Sequence, residues 1–221
     1  MRTFLDKLRE QKQKEVSKRK IEINEDHLRA DVNNLEKAPD FRKRLIRNPG
    51  KPISLIVEVK SRAPGRRNVE QLETKTLVKE FEHGGAKAIS VLTDQSWFGG
   101  SLGILEKVSR ATNLPLMHKE FIINSYQLLE GRLRGASAAL ILAYYFNQTE
   151  LEKIVAETQN IGLEAVVECS VENELPRALA INPDILMINN RPIAAIPEDP
   201  TETYHKEALR SFQDGGNVIL N

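Results

Sequence analysis

The feature that most constrains this 221-residue chain is a regular alternation of short apolar runs with segments of helical patterning. Seven runs have the length and composition of strands buried in a parallel sheet. They are residues 53–59, 86–92, 114–117, 138–145, 163–168, 184–189 and 217–220. The segments between them repeat apolar residues at helical spacing, and several end in glycine, as helix C-termini do. This alternation predicts an α/β fold with a parallel sheet and right-handed crossovers.

Two parallel-sheet architectures fit such an alternation, and the sequence favours the closed one. The Gly-x-Gly-x-x-Gly turn of dinucleotide-binding sheets does not follow the first run, whereas the number and regularity of units favour a (β/α)8 barrel of the TIM type. We expect residues 1–50 to be a helical extension packed on the barrel and residues 51–221 to be the barrel, strands 1 to 7. Met1–Lys20 carries eight Lys/Arg around a thin apolar stripe that includes Leu5 and Leu8. This pattern predicts a solvated helix that caps a domain, with a membrane-surface or acidic-partner helix as the alternative.

Composition narrows the function classes. The chain has 32 Lys+Arg against 31 Asp+Glu, so no overall positive field argues for a nucleic-acid partner. No apolar run approaches the roughly 18 residues of a membrane span, and the N-terminus lacks the apolar region of a signal peptide. The single cysteine, Cys169, excludes an internal disulfide, and the four histidines lack metal-ligand spacing. We therefore expect a cytoplasmic protein with no metal and no cofactor; the sequence does not indicate its oligomeric state.

Polar side chains stand at the ends of the predicted strands. The first strand places Glu58 and Lys60 two residues apart, so both point to the same side. In a barrel the carboxyl ends of the strands surround one cavity, where the chemistry of this fold takes place. A glutamate beside a lysine at that mouth lowers the cost of burying the ammonium group and keeps a mobile proton available. The other strand-end residues are Thr93, Asp94, His118, Lys119, Glu120, Glu168, Asn189, Asn190 and Arg191.

Five stretches of the sequence resemble one family in order and approximate spacing. They are VEVKSRAPG, AISVLTDQSWFGGSL, LPLMHKEFIINSYQLLEGRLRGA, LEAVVECSVENEL and ILMINNR. These look like successive strand-end motifs of indole-3-glycerol-phosphate synthase, the (β/α)8-barrel enzyme of tryptophan biosynthesis, and the N-terminal segment resembles that family's helical extension. The resemblance implies a small phosphorylated substrate, 1-(2-carboxyphenylamino)-1-deoxyribulose 5-phosphate, which closes to indole-3-glycerol phosphate with loss of carbon dioxide and water.

The resemblance also implies roles for individual residues. Lys119 falls on the general acid of ring closure, and Lys60 on a lysine that contacts the substrate carboxylate and assists dehydration. Glu168 falls on a carboxylate that stabilises charge or relays protons, Glu58 on the strand-one glutamate, and Asn189 on an amide that orients the substrate. We further expect three residues to bind the substrate, two as walls of the aromatic pocket and one as a partner of the carboxylate. These are Phe98, Phe121 and Arg191.

The chain also departs from the family pattern. Ala63-Pro64-Gly65 replaces the usual Ser-Pro-Ser, His118 stands at an arginine position, Glu120 at an aspartate position, and Ser170 at a common histidine position. The residues end at the seventh predicted strand, so we expect a barrel incomplete at the C-terminus, with weak substrate binding. Three functions stay open: an active synthase, a catalytically silent relative or fragment, and a related phosphosugar barrel such as phosphoribosylanthranilate isomerase. The isomerase would use a cysteine–aspartate pair, and Cys169 lies on the wrong strand for it.

Overall fold

The fold is known from a computed structural model that describes residues 4–47, 49–61, 73–169 and 174–189. Three helices come first: α1 (Phe4–Glu22), α2 (Glu25–Asn33) and α3 (Phe41–Leu45). Strands and helices then alternate as β1 (Ile56–Val59), α4 (Thr74–His83), β2 (Ala88–Leu92), α5 (Leu102–Ser109), β3 (Leu116–Lys119), α6 (Ser125–Leu133) and β4 (Ala138–Leu142). A 3₁₀ turn (Ala143–Tyr145) leads to α7 (Gln148–Asn160), β5 (Glu164–Cys169), α8 (Glu174–Ala180) and β6 (Ile185–Ile188).

The six strands form one curled sheet in which each strand pairs in parallel with the next along the chain. Every residue of β2 and β4 is buried, and five of the six in β5 are. Burial on both faces explains their continuous apolar runs, because neither face meets water. The predicted α/β class and parallel sheet are therefore confirmed, and the arrangement is consistent with a TIM barrel.

Two predicted strands were too long by three residues each. The first begins at Ile56 rather than residue 53, and Ile53 is 77% exposed. The run 138–145 is a strand only to Leu142, since the backbone N–H of Phe146 bonds back to the carbonyl of Ala143 and closes the 3₁₀ turn. Apolar content alone does not distinguish a strand from the buried turn after it. The expected strand at 217–220 lies outside the described residues.

Helix α1 lies across the carboxyl ends of the central strands. Its Arg9 donates a hydrogen bond to the carbonyl of Tyr145, beyond β4, at 2.9 Å. Its Arg19 forms a 2.8 Å ion pair with Glu130 of α6. The hydroxyl of Tyr126, also in α6, lies 3.0 Å from the carbonyl oxygen of Arg19 in the last turn of α1. The helix is thus fixed over the edge of the sheet where the strand-end residues lie.

Candidate active site

The register of the sheet places the strand-end lysines and Glu58 on one face. Glu58 pairs with Ser90 of β2, and Leu92 pairs with Lys119 of β3. Side chains alternate along a strand, so Lys60, two residues beyond Glu58, points to the same side as Glu58 and Lys119. The sequence prediction that Glu58 and Lys60 share a face is confirmed by their contact.

One carboxylate joins the two lysines. Oε2 of Glu58 lies 2.5 Å from Nζ of Lys119, and Oε1 lies 3.1 Å from Nζ of Lys60. The Lys119 side chain is 18% exposed and that of Lys60 is 38% exposed. Lys119 therefore sits deeper, while Lys60 stands nearer the opening. Glu58 thus compensates the charges of two lysines, Lys60 just beyond its own strand and Lys119 of β3, which explains why the first strand carries both signs of charge.

The electrostatics of Glu58 follow from this contact. Partial burial on its own would raise the pKa of the carboxyl, but the positive charges of Lys119 and Lys60 outweigh burial and hold the pKa below its usual value. Glu58 is then a carboxylate at neutral pH. It accepts hydrogen bonds from both ammonium groups, which fixes the Lys119 ammonium at the end of β3.

Glu168 and Asn189 form a second pair at the same edge. The side-chain amide of Asn189 donates to Oε1 of Glu168 at 3.0 Å, and Glu168 is 4% exposed. The backbone N–H of Asn189 bonds to the carbonyl of Cys169 at 2.8 Å, which extends the β5–β6 pairing by one residue. Because Glu168 lies opposite Met187, Asn189 projects from the same face two residues further on.

Two aromatic rings stand beside the strand ends. Phe98 follows β2 and Phe121 follows β3, and their centroids are 6.0 Å apart with planes inclined by 30°. Both residues are half-buried. Stacked rings at this distance make an apolar wall. The structure therefore brings together the two phenylalanines that the sequence analysis assigned to one pocket.

Some predicted site residues lie outside the described part of the chain. Arg191 and Asn190 are among them, as are Ser170 and the segment 63–65. Cys169 is described: it ends β5 as a free, buried thiol, and burial raises its pKa to about 11. A thiol in that state is a poor general base, which argues against isomerase chemistry at this position.

A buried polar cluster lies next to the site, between α1 and the ends of β2 and β3. Sequence reasoning missed the lysine at its centre. Lys12 of α1 is 2% exposed and contacts Asp94 and Glu120, the residues that follow β2 and β3. The sequence signal was its position: Lys12 falls on the same helical stripe as Leu8 and Val16, which are buried. The expected thin stripe of α1 is therefore longer than predicted and has a charge in it.

His118 belongs to the same cluster. It alternates with Lys119 along β3, so its ring points away from the lysines and lies against Gly131 of α6. Nε2 of His118 lies 2.9 Å from Oγ1 of Thr93. Burial, together with the nearby charges of Arg19 and Lys12, lowers the pKa of His118 to about 3. His118 is thus a neutral structural side chain at neutral pH.

Two other kinds of site are absent from the part of the chain that the structure describes. Within the described ranges, no group of three or more His, Cys, Asp or Glu side chains is arranged to hold a metal ion. Among the described helices, none combines the length and the apolar character needed to cross a bilayer.

Comparison with known proteins gives a consistent result. The family model described as indole-3-glycerol phosphate synthase matches residues 5–203. A protein of that name from Desulforamulus reducens is 35% identical over 192 residues, which is 86% of this chain and 72% of the relative. One from Chlorobium phaeovibrioides is 33% identical over 219 residues, covering 99% of this chain and 83% of the relative. One from Sulfurimonas denitrificans is 33% identical over 190 residues, covering 85% and 72%.

Proposed function

Because the chain belongs to the indole-3-glycerol phosphate synthase family, we propose that the strand ends around Glu58 and Lys119 form the catalytic centre for closure of the indole ring. The activity itself follows from the family: a carboxy-lyase reaction of tryptophan biosynthesis on a small phosphorylated substrate. The proposal concerns which residues of this chain do the chemistry. The observation that carries it is the Glu58 carboxylate held between the ammonium groups of Lys119 and Lys60.

Lys119 is the proposed general acid. In ring closure the aromatic carbon that bears the carboxylate attacks the ketone carbon, and a C–C bond forms while the carbonyl oxygen takes up a proton. An ammonium group held by a carboxylate supplies that proton and stabilises the developing oxyanion. The 2.5 Å contact with Glu58 supports this role, because it holds the Lys119 side chain in place at the end of β3.

Lys60 is the proposed partner for the substrate carboxylate and for dehydration. After the new bond forms, the bond to the carboxylate breaks, carbon dioxide leaves, and its electron pair restores the aromatic ring. The hydroxyl group made in ring closure then leaves with a proton as water, and loss of a ring proton completes the indole. The Lys60 side chain is 38% exposed, so its ammonium can reach an incoming anion while it keeps its contact to Glu58.

The remaining assignments follow the same edge of the sheet. We assign Glu168 to charge stabilisation or proton relay, and Asn189 to substrate orientation, supported by their 3.0 Å hydrogen bond. Phe98 and Phe121 are assigned to the aromatic ring of the substrate, supported by the stacking of their rings beside the strand ends. Arg191, outside the described residues, is assigned to the carboxylate on the family pattern alone.

We also propose the finer architecture that the sequence predicts. The curled parallel sheet in sequential order supports a (β/α)8 barrel, with residues 1–50 as a helical extension and residues 51–221 as barrel. A cytoplasmic location is proposed on the single cysteine, Cys169, which is free and buried.

The test is replacement of Lys119 by methionine, which keeps the aliphatic stem and removes the proton donor. Turnover of the substrate, followed by indole fluorescence, should fall at least about a hundredfold because general acid catalysis contributes roughly that much. The matched control is Lys107→Met, since Lys107 is an exposed lysine on α5. Circular dichroism checks that both variants are folded. Equal turnover in the two variants would refute the assignment of Lys119.

A further inference from the structure

Lys12 is a charged residue in an apolar position. On α1 it shares one stripe with Leu5, Leu8 and Val16, each 1% exposed or less, and is itself 2% exposed. Burying an ammonium group costs several kcal/mol unless partners replace its water. A lysine at this position therefore requires partners that compensate its buried charge.

Three carboxylate groups compensate the charge of Lys12. Nζ of Lys12 lies 2.7 Å from Oδ1 of Asp94, 2.9 Å from Oε2 of Glu15 and 3.1 Å from Oε1 of Glu120. Three carboxylates thus surround the three N–H groups of one ammonium. Burial alone would lower the pKa of Lys12, but Glu120 and Asp94 outweigh burial and raise it, so the charge is permanent at neutral pH.

Asp94 and Glu120, the two partners of Lys12 outside α1, each accept hydrogen bonds from the backbone that follows a strand. Oδ2 of Asp94 accepts hydrogen bonds from the backbone N–H groups of Trp97, at 2.7 Å, and Phe98, at 3.0 Å. Asp94 therefore shapes the turn that carries Phe98. Oε1 of Glu120 accepts from the backbone N–H of Phe121 at 2.8 Å. Glu120 also directly follows Lys119 in the chain.

The ammonium group of Lys12 therefore connects the turn after β2 to the end of β3. Lys119 ends β3 and Phe98 stands on the turn after β2, and the carboxyl groups of Glu120 and Asp94 beside them meet at the same cation. A displacement of about 1 Å at reacting groups is enough to cost two orders of magnitude in rate. The cluster has the geometry to prevent such a displacement.

We propose that Lys12 is a positioning residue for the ring-closure reaction: it holds the ends of β2 and β3 in the relative position that Lys119 and the Phe98–Phe121 wall require. Lys12 acts through Asp94 and Glu120 and does not touch the substrate. This inference rests on the proposed role of Lys119. It assigns to α1 a part in catalysis beyond covering the sheet.

The experiment uses the full chain with Lys12→Met, which preserves the stem, and Lys14→Met as matched control, because Lys14 is an exposed lysine on the same helix. Both are assayed at a temperature where unfolding curves show at least about nine-tenths of the molecules folded. We expect kcat of Lys12→Met to fall about tenfold or more, with Lys12→Arg recovering part of the loss because it restores the charge.

A purely structural role predicts a different result. Lys12→Met would then melt at lower temperature but keep kcat and KM within about twofold of the control while folded, and that outcome overturns the proposal. If Lys12→Met does not fold, Glu120→Met decides, since it removes the carboxyl group that contacts both Lys12 and the backbone N–H of Phe121 and keeps a side chain of similar length. A normal kcat in folded Glu120→Met would equally overturn it. Lys119→Met distinguishes the role of Lys119 from that of Lys12. If Lys119→Met also keeps normal turnover, the proposed function fails. If Lys119→Met is inactive and Lys12→Met is unimpaired, only the role of Lys12 is refuted.

Discussion

Replacing His118 by glutamine should remove an acid-sensitive part of the folding free energy. His118 is 1% exposed, and its ring lies between Thr93 and the backbone of Gly131. Its pKa is about 3 in the folded protein, below the ordinary value of 6.5, because burial disfavours the imidazolium. Glutamine retains an amide at the distance of Nε2, and so keeps a partner for the Thr93 hydroxyl.

The sign and size follow from proton linkage. Below pH 6.5 the histidine of the unfolded chain takes up a proton while that of the folded chain does not, so stability is lost as pH falls from about 6.5 towards about 3. Between pH 7 and pH 5 the loss from this one group is about 2 kcal/mol. Above pH 7 the histidine is neutral in both states and contributes no pH dependence.

The assay is urea unfolding of the wild type and His118→Gln at pH 7 and pH 5 at equal ionic strength. Carboxylates titrate in both proteins, so the informative quantity is the difference between the two changes in unfolding free energy. The wild type should lose about 2 kcal/mol more than the variant. Any constant cost of the substitution cancels in this comparison. If both proteins lose the same free energy, His118 is protonated in the folded state and the reasoning is wrong.

Two further substitutions test packing and helix ends by urea unfolding. Gly131→Ala should destabilise by about 1–3 kcal/mol, because its new Cβ would stand 2.3 Å from Nδ1 of His118. Gly103→Ala on α5 should cost nothing, because its new Cβ would make only an ordinary 3.6 Å contact with Oγ of Ser101; equal effects would contradict the packing. Asn147→Ala should cost about 1 kcal/mol, because it removes the Asn147 side chain from the capping box at the start of α7. The control Thr149→Ala, at an exposed residue two positions further on, should cost less than about 0.5 kcal/mol. Matching losses in these two variants would mean that the cap contributes nothing.

Parts of the fold and site were predictable because they depend on short-range pattern. A buried parallel strand must be apolar throughout, which located β2, β4 and β5 to within a few residues. Alternation along a strand put Glu58 and Lys60 on one side, and parallel strands share an edge, which brought Lys119 beside them.

The cluster at Lys12 could not be predicted in the same way. Lysine is almost always exposed. The residue type of Lys12 therefore predicted an exposed side chain, although its helical position beside Val16 indicated a buried one. Its partners Asp94 and Glu120 were visible as strand-end residues, but which cation would lie between them depends on how α1 crosses the sheet. The way α1 crosses the sheet depends on tertiary contacts between residues far apart in the sequence, such as Arg9 with Tyr145.

The position of α1 also has a consequence for synthesis of the chain. This helix is made before the sheet, and Arg9 finds its partner Tyr145 only 136 residues later. At about 5–20 residues per second, these 136 residues take roughly 7–27 seconds to synthesise, and α1 waits that long for the surface that covers it. During that time Leu5, Leu8 and Val16 face water and other nascent chains. The charge of Lys12, in the middle of their stripe, then interrupts the apolar surface and opposes aggregation until the sheet is complete.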